Sequence, residues 1–260
     1  MTNLEALPHR LDRALDIQAD PQVVFRFFTD PVRWAAWWGA GSTIEARVGG
    51  RVLIRYPDGT EASGEVVELA PPERLVFTYG YAKGSPIPPG TSLVSLRLEP
   101  RGQATRVLLS HAFADPAVRD EHVQGWRFQL SLFANVVADE AFAGSAERVD
   151  RWFAAWSEDD AREAEKALRA VAATGVRMRD RFSALEGIEE VLLHMAAGRR
   201  FMPGLRMQRE GPVRQCQGMA LADWVARTAD GQERASGTNL FVFDGGGRIE
   251  SVTGFWNAGR

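Results

Sequence analysis

From Thr43 to Phe113 apolar residues recur at every second position, and on both sides of that stretch they recur every third or fourth. The first period belongs to strands with one buried face and the second to amphipathic helices. Leu11 to Ile17 alternates as a first strand, and Asp20-Pro21 then opens a helix whose apolar side is Val23, Val24, Phe27 and Phe28. Asp30-Pro31 opens another, which sets Trp34, Trp37 and Trp38 on one face before Gly39 to Gly41 ends it. An aspartate followed by proline is an N-cap and first-turn pair, because the carboxylate accepts free amides and proline has none to leave unpaired. The alternating stretch places Val52, Ile54 and Tyr56 on one strand face and then runs through Ala62 to Leu69. Leu75, Phe77, Tyr79 and Tyr81 share the next face, followed by Val94, Leu96 and Leu98, then Val107, Leu109, His111 and Phe113. Pro57-Asp58-Gly59, Pro71-Pro72, Gly84 to Gly90 and Pro100-Arg101-Gly102 turn the chain between them, so an antiparallel meander is expected. Asp115-Pro116 starts a long helix to Phe142, with His122, Trp126, Leu130, Phe133 and Val137 on one stripe to cover the sheet.

The pattern restarts after Ala143-Gly144-Ser145. Val149, Trp152, Phe153 and Trp156 form a helical stripe, and a second helix reaches about Ala172. Gly175 to Asp180 alternates as a strand, and Ala184 to Ala197 reads as a helix with Ile188, Val191, Leu192 and Met195 inside. Four strands close the chain, Arg206 to Val213, Cys216 to Thr228, Ala235 to Asp244 and Arg248 to Trp256, the last two joined at Asp244-Gly245-Gly246-Gly247. The expected class is α+β in two domains, residues 1–143 and 144–260. A chain of 260 residues is long enough for both.

Composition narrows the chemistry. With 45% hydrophobic and 25% charged residues each domain can build a core. A net charge of −3 without a basic block argues against a nucleic-acid partner. No apolar run is long enough for a membrane helix, and the alternation from Met1 to Leu15 is unlike a signal peptide, so a cytoplasmic protein is expected. Cys216 is the single cysteine, which excludes an intrachain disulfide and a thiolate cluster. There is no phosphate-binding glycine loop and no nucleophile elbow. Neither a cofactor nor a metal is expected, since no third histidine or carboxylate accompanies His111 and His122 at ligand spacing.

Several stretches resemble a known family: Ala19-Asp20-Pro21, Trp37-Trp38, Val48-Gly49-Gly50, Pro71 through Tyr79, Thr105-Arg106-Val107, His111, and His122 followed by Gly125-Trp126. Together, over about residues 11–140, they resemble the helix-grip (START-like, SRPBCC or Bet v 1-like) fold, in the branch named after the Hsp90 ATPase activator homologue. That resemblance implies a deep apolar cavity between sheet and long helix. Val149 to Trp156, Met178 to Asp180 before Gly187-Ile188, and Phe241 through Asp244 with Ile249 to Trp256 resemble the NTF2-like (SnoaL-like) fold over about residues 145–257. That second resemblance implies a cone-shaped α+β domain, commonly dimeric through its sheet, in a family of cyclases, isomerases, dehydratases and non-catalytic binding domains.

The candidate ligand-binding residues of the first domain are Trp34, Trp37, Trp38, Tyr56, Phe77, Tyr79, His111, His122 and Trp126, the polar members lying on otherwise apolar faces. Glu65 and Arg55 read as outward strand charges. In the second domain Asp180, His194 and Asp223 are the candidate acid/base residues, since a desolvated carboxylate beside an imidazole suits cyclisation or isomerisation. All three tyrosines (Tyr56, Tyr79 and Tyr81) lie in the first domain, so the second lacks the phenol that stabilises an enolate in ketosteroid isomerases. The leading expectation is a binder of a small hydrophobic ligand, with the cone as a second possible site and a homodimer as its assembly. The alternatives are a polyketide cyclase or isomerase using an Asp/His pair, and a co-chaperone-like module that interacts with Hsp90.

Overall fold

The computed structural model describes residues 7–257, so the first six residues of the amino-terminal alternation lie outside it. The chain divides into two compact units, residues 1–138 and 139–260. Both are α+β.

The first unit has β1 (His9–Ile17), α1 (Pro21–Thr29), α2 (Pro31–Trp38), β2 (Thr43–Ile44), β3 (Arg51–Arg55), β4 (Glu61–Ala70), β5 (Arg74–Tyr81), β6 (Ser92–Arg101) and β7 (Ala104–Phe113). The helix α3 (Pro116–Ala141) follows and runs past the boundary between the units. The order across the sheet is β1-β7-β6-β5-β4-β3-β2, and neighbouring strands are antiparallel. Thus β2 to β7 are the expected meander, while β1 joins its far end by pairing with β7.

Each Asp-Pro pair starts a helix as its chemistry requires. Asp20 accepts from the Gln22 amide at 2.8 Å, Asp30 from Val32 and Arg33 at 2.9 and 3.0 Å, and Asp115 from Ala117 at 2.7 Å. The buried side of α1 is Val24, Phe25, Phe27 and Phe28, one residue out of step with the expected stripe at its start. Along α3 the buried stripe is Trp126, Gln129, Leu130, Phe133, Ala134, Val137 and Ala138. Phe133 is the centre of the layer, with its ring stacked on Phe28 at 5.0 Å and meeting Trp37 edge-on at 4.9 Å.

The second unit holds α4 (Ser145–Ser157), α5 (Ala161–Val171), β8 (Ala172–Arg179), β9 (Ala184–Glu186), α6 (Ile188–Phe201), β10 (Arg206–Cys216), β11 (Met219–Arg227), β12 (Glu233–Phe243) and β13 (Ile249–Trp256). Its sheet runs β10-β11-β12-β13-β8-β9. The four C-terminal strands are antiparallel, but β8 lies parallel to β13, so the sheet is mixed rather than purely antiparallel. Residues 184–186 form the short strand β9 instead of the first turn of the expected helix, and α6 begins at Ile188 after Gly187, whose φ of +83° breaks the chain there. Trp152 and Phe153 of α4 both pack edge-on against Phe241 of β12. Inside the sheet the Trp224 indole N–H donates to Asn239 Oδ1 at 2.9 Å, which satisfies two buried polar groups at once.

Gly64 tests how closely the first sheet is packed. A β-carbon there would lie 1.6 Å from the carbonyl oxygen of Thr78, a backbone atom of the neighbouring strand that cannot rotate away. Gly64→Ala is therefore expected to destabilise the first unit by roughly 2–3 kcal/mol, the range of an overpacked interior. Urea denaturation followed by tryptophan fluorescence measures it, and an unchanged midpoint contradicts this packing.

Candidate functional site

Four elements of the first unit converge on one pocket of about 960 Å³. The end of α2 supplies Trp37, Trp38 and Gly39, and the turn between β3 and β4 supplies Tyr56 to Asp58, Thr60 and Glu61. β5 and the loop after it supply Tyr79, Tyr81, Lys83, Ser85 and Pro86, while α3 closes the other side with Glu121, His122, Gly125, Trp126, Phe128, Gln129 and Leu132. The volume is at the upper end of small-molecule sites. Phe128 and Leu132 remain 65% and 38% exposed, so the apolar wall continues outward along α3.

The polar groups fix one another. Ser92 Oγ donates to the Tyr79 carbonyl at 2.8 Å, and this uses its single proton. The 2.8 Å contact between Ser92 Oγ and His111 Nε2 must then be an N–H donated by the imidazole. His111 Nδ1 accepts from the Trp126 indole N–H at 2.9 Å. His111 is thus the neutral Nε2–H tautomer, fully buried and with both nitrogens satisfied. His122 is the opposite case. Its Nδ1 lies 2.7 Å from the Val118 carbonyl and must carry the proton, so Nε2 is left to accept from the Tyr81 hydroxyl at 3.2 Å. Beside them the hydroxyls of Tyr56 and Tyr79 are 2.9 Å apart.

Burial keeps this wall uncharged. It holds His111 well below the ordinary imidazole range, helped by the neighbouring His122, and it lowers His122 against the opposing pull of Val118 and Glu121. It also pushes the phenols of Tyr56 and Tyr79 far above their usual range.

Of the expected ligand-binding residues, Trp37, Trp38, Tyr56, Tyr79, His122 and Trp126 line the pocket. Trp34, Phe77 and His111 sit one layer deeper and are fully buried, Trp34 packing edge-on against Phe77 at 5.7 Å and donating its indole N–H to the Leu53 carbonyl. They shape the wall without reaching its surface. Glu65 is exposed, as expected of an outward strand charge, and Arg55 pairs with Glu61. Gln129 also lines the pocket and was not among the expected residues, although it falls on the helical stripe, while Tyr81 joins it from the strand face it shares with Tyr79. The loop residues from Pro57 to Glu61 and from Lys83 to Pro86 have no periodic signal to find.

In the second unit the expected Asp/His pair is not assembled. Asp180 accepts from the Phe182 and Ser183 amides, the Ser183 hydroxyl and, at 3.2 Å, the Trp256 indole. A carboxylate at the start of that turn is spent on closing it. Asp223 accepts from Thr238 and faces Arg214 at 3.7 Å with its side chain 53% exposed. The reason is the alternation of β11, whose inward residues are the small Ala220, Ala222 and Ala226 with Trp224, so Met219 and Asp223 of the opposite row face out, although Val225 in that row is buried. His194 is half-buried against the Trp156 ring and hydrogen-bonds to neither aspartate. Among the described residues no group of three or more His, Cys, Asp or Glu is placed to hold a metal, and no helix is long and apolar enough to cross a membrane.

Residues 18–138 match the family model described as Activator of Hsp90 ATPase homolog 1-like protein. This stretch, a little under half of the chain, is similar to that family. The activator-like domain therefore takes in α1, α2, β2 to β7, α3 as far as Ala138, and the whole pocket. Similar solved structures include CalU16 from Micromonospora echinospora, 28% identical over 53% of this chain and 82% of that one, with a TM-score of 0.42. Another is the Aha1 dimer from Colwellia psychrerythraea, at 19% identity over 48% of this chain and 92% of that one, TM-score 0.40. A putative isomerase of the SnoaL-like family from Agrobacterium tumefaciens is 25% identical over 44% of this chain and 97% of its own, TM-score 0.42. No curated protein matches the chain.

Three outcomes follow from the activator-like domain's polar groups. Long-range proton–nitrogen NMR spectra should show His111 as the Nε2–H and His122 as the Nδ1–H tautomer at neutral pH. The sign of the pH dependence is set by a depressed imidazole. Above about pH 6.5 neither folded nor unfolded chain protonates His111, while below it only the unfolded chain does, so stability falls on acidification, by up to ~1.4 kcal/mol per pH unit for this residue. The slope between pH 6.5 and 5 should flatten in His111→Gln, and an unchanged slope assigns the acid sensitivity elsewhere. Trp126→Phe, which keeps a ring but leaves His111 Nδ1 without its donor, is expected to cost on the order of 1–3 kcal/mol in chemical denaturation.

Proposed function

We propose that the activator-like domain is a small-molecule binding module whose ligand is held between the tryptophans of α2 and the buried face of α3. The observation that carries this reading is the pocket itself, about 960 Å³ with Trp37, Trp38 and Trp126 in its wall and a neutral hydrogen-bonding group of tyrosines and His122 on one side. A large aromatic surface supplies binding energy through burial, and a few fixed polar groups supply orientation. Such a site needs no nucleophile and no charged acid/base pair.

The second unit enters this proposal as a companion domain without an assigned reaction. Its two candidate aspartates are occupied by a turn and by Thr238 with Arg214, so an acid/base role finds no support there.

Gly125 offers a direct test. It lines the pocket from α3, and a β-carbon added to it meets nothing within 4 Å. Gly125→Trp should fill the space while removing a helix-weakening glycine. Native mass spectrometry of the full chain is expected to show a bound mass that organic solvent releases, and this mass should disappear in the variant while its melting temperature holds or rises. Retention of the same mass by Gly125→Trp contradicts binding in this pocket.

A further inference from the structure

The polar groups of the pocket restrict the kind of molecule it accepts, and this restriction rests on the binding role just proposed. Consider the protons of the three phenols. Tyr81 donates its own to His122, whose other nitrogen is committed to the Val118 carbonyl. Tyr56 and Tyr79 then have two protons for the single bond between them. When Tyr79 donates to Tyr56, the proton of Tyr56 has no acceptor in that pair and is available to a seated molecule. Tyr56 is also the less buried of the two, Tyr79 being only 3% exposed. Trp38, in the same wall and 4% exposed, has an indole N–H without a hydrogen-bond partner. The aromatic wall therefore offers two donors, the Tyr56 hydroxyl and the Trp38 indole, that no neighbouring group takes up.

Charge restricts the ligand in the other direction. Lys83 is the sole cationic side chain of the lining, set against Asp58, Glu61 and Glu121. Arg55 offsets Glu61 and Lys83 acts on Asp58, so Glu121 leaves a negative balance at the rim. An anionic ligand would lose its hydration with no arginine to receive it, which is costly for a carboxylate.

We infer that the pocket selects an uncharged, planar aromatic molecule bearing a carbonyl-type oxygen, with that oxygen accepting from Tyr56 and the rings lying among Trp37, Trp38 and Trp126. It discriminates against carboxylates of the same shape, and so against fatty-acid-like ligands in general.

Three probes of one skeleton separate these requirements: fluorene, fluorenone and fluorenone-4-carboxylate, each titrated against the full chain by tryptophan fluorescence. Fluorenone is expected to bind roughly five- to tenfold more tightly than fluorene, the value of one net hydrogen bond, and the carboxylate to bind weakest. Tyr56→Phe should bring the fluorenone-to-fluorene ratio to within about twofold, since the donor is lost and the ring remains. Binding of fluorene with no gain from the ketone, or tightest binding of the carboxylate, overturns the ligand class and leaves the pocket a binding site. Failure of all three to bind overturns both readings. The comparison on the unmodified chain decides the matter even if Tyr56→Phe does not fold.

Discussion

A single relay of hydrogen bonds joins the long helix to three strands of the first sheet. The Trp126 indole donates to His111, His111 donates to Ser92, and Ser92 donates to the Tyr79 carbonyl, so α3 is tied to β7, β6 and β5 in turn. None of these groups sees water, and burying any of them unpaired costs more than the bond between them yields. The relay therefore acts mainly as a constraint. A seating of α3 that breaks one of these bonds leaves a buried donor or acceptor unpaired, and the observed register satisfies all four residues. Fixing α3 in this way also fixes the side of the pocket that Trp126, Gly125 and His122 line.

Neutrality of the wall follows from the same burial. Two imidazoles, two phenols and an indole form a cluster of rings in contact, for instance His111 with His122 at 5.7 Å and Tyr79 with Tyr81 at 5.6 Å. Charging either histidine would place a cation in an interior with no buried carboxylate to receive it, and the desolvation cost decides the matter in favour of the neutral forms. The two tautomers are opposite because their fixed partners are opposite: a carbonyl takes the Nδ1 proton of His122, and an indole N–H claims the Nδ1 lone pair of His111. What the pocket offers a ligand is thus set by the fixed partners of its imidazoles, the Val118 carbonyl and the Trp126 indole.

Much of the first unit was legible in the chain. Three Asp-Pro pairs announced three helices, period-two alternation announced the strands, and the stripe through Trp126, Leu130, Phe133 and Val137 announced which side of α3 is buried. What the pattern could not say was depth. Trp34 and Trp37 share a helix face and are both buried, yet only Trp37 borders the pocket, because Trp34 turns toward Phe77 beneath it. Periodicity reports the face of an element, and depth depends on the neighbour across the layer. The loops from Pro57 and from Lys83 escaped for a related reason, since their positions are set by where β3 to β6 end rather than by their own composition.

The second unit shows the same limit acting on chemistry. Asp223 was drawn inward by Met219, Leu221 and Val225, large apolar residues that suggested a core-facing row. The core-facing row of β11 instead holds alanines around Trp224, because the big indole takes the space and pairs with Asn239, leaving room only for small neighbours. Side-chain size alone is a poor guide to the inward face of a strand that carries one buried tryptophan. Asp180 illustrates a second confusion. An aspartate after a strand satisfies turn amides as readily as it serves a reaction, and with Phe182, Ser183 and Trp256 all donating to it, the carboxylate is committed before any substrate arrives. The polar groups able to meet a ligand are those left with unspent protons, and in the pocket of the activator-like domain these are the Tyr56 hydroxyl and the Trp38 indole.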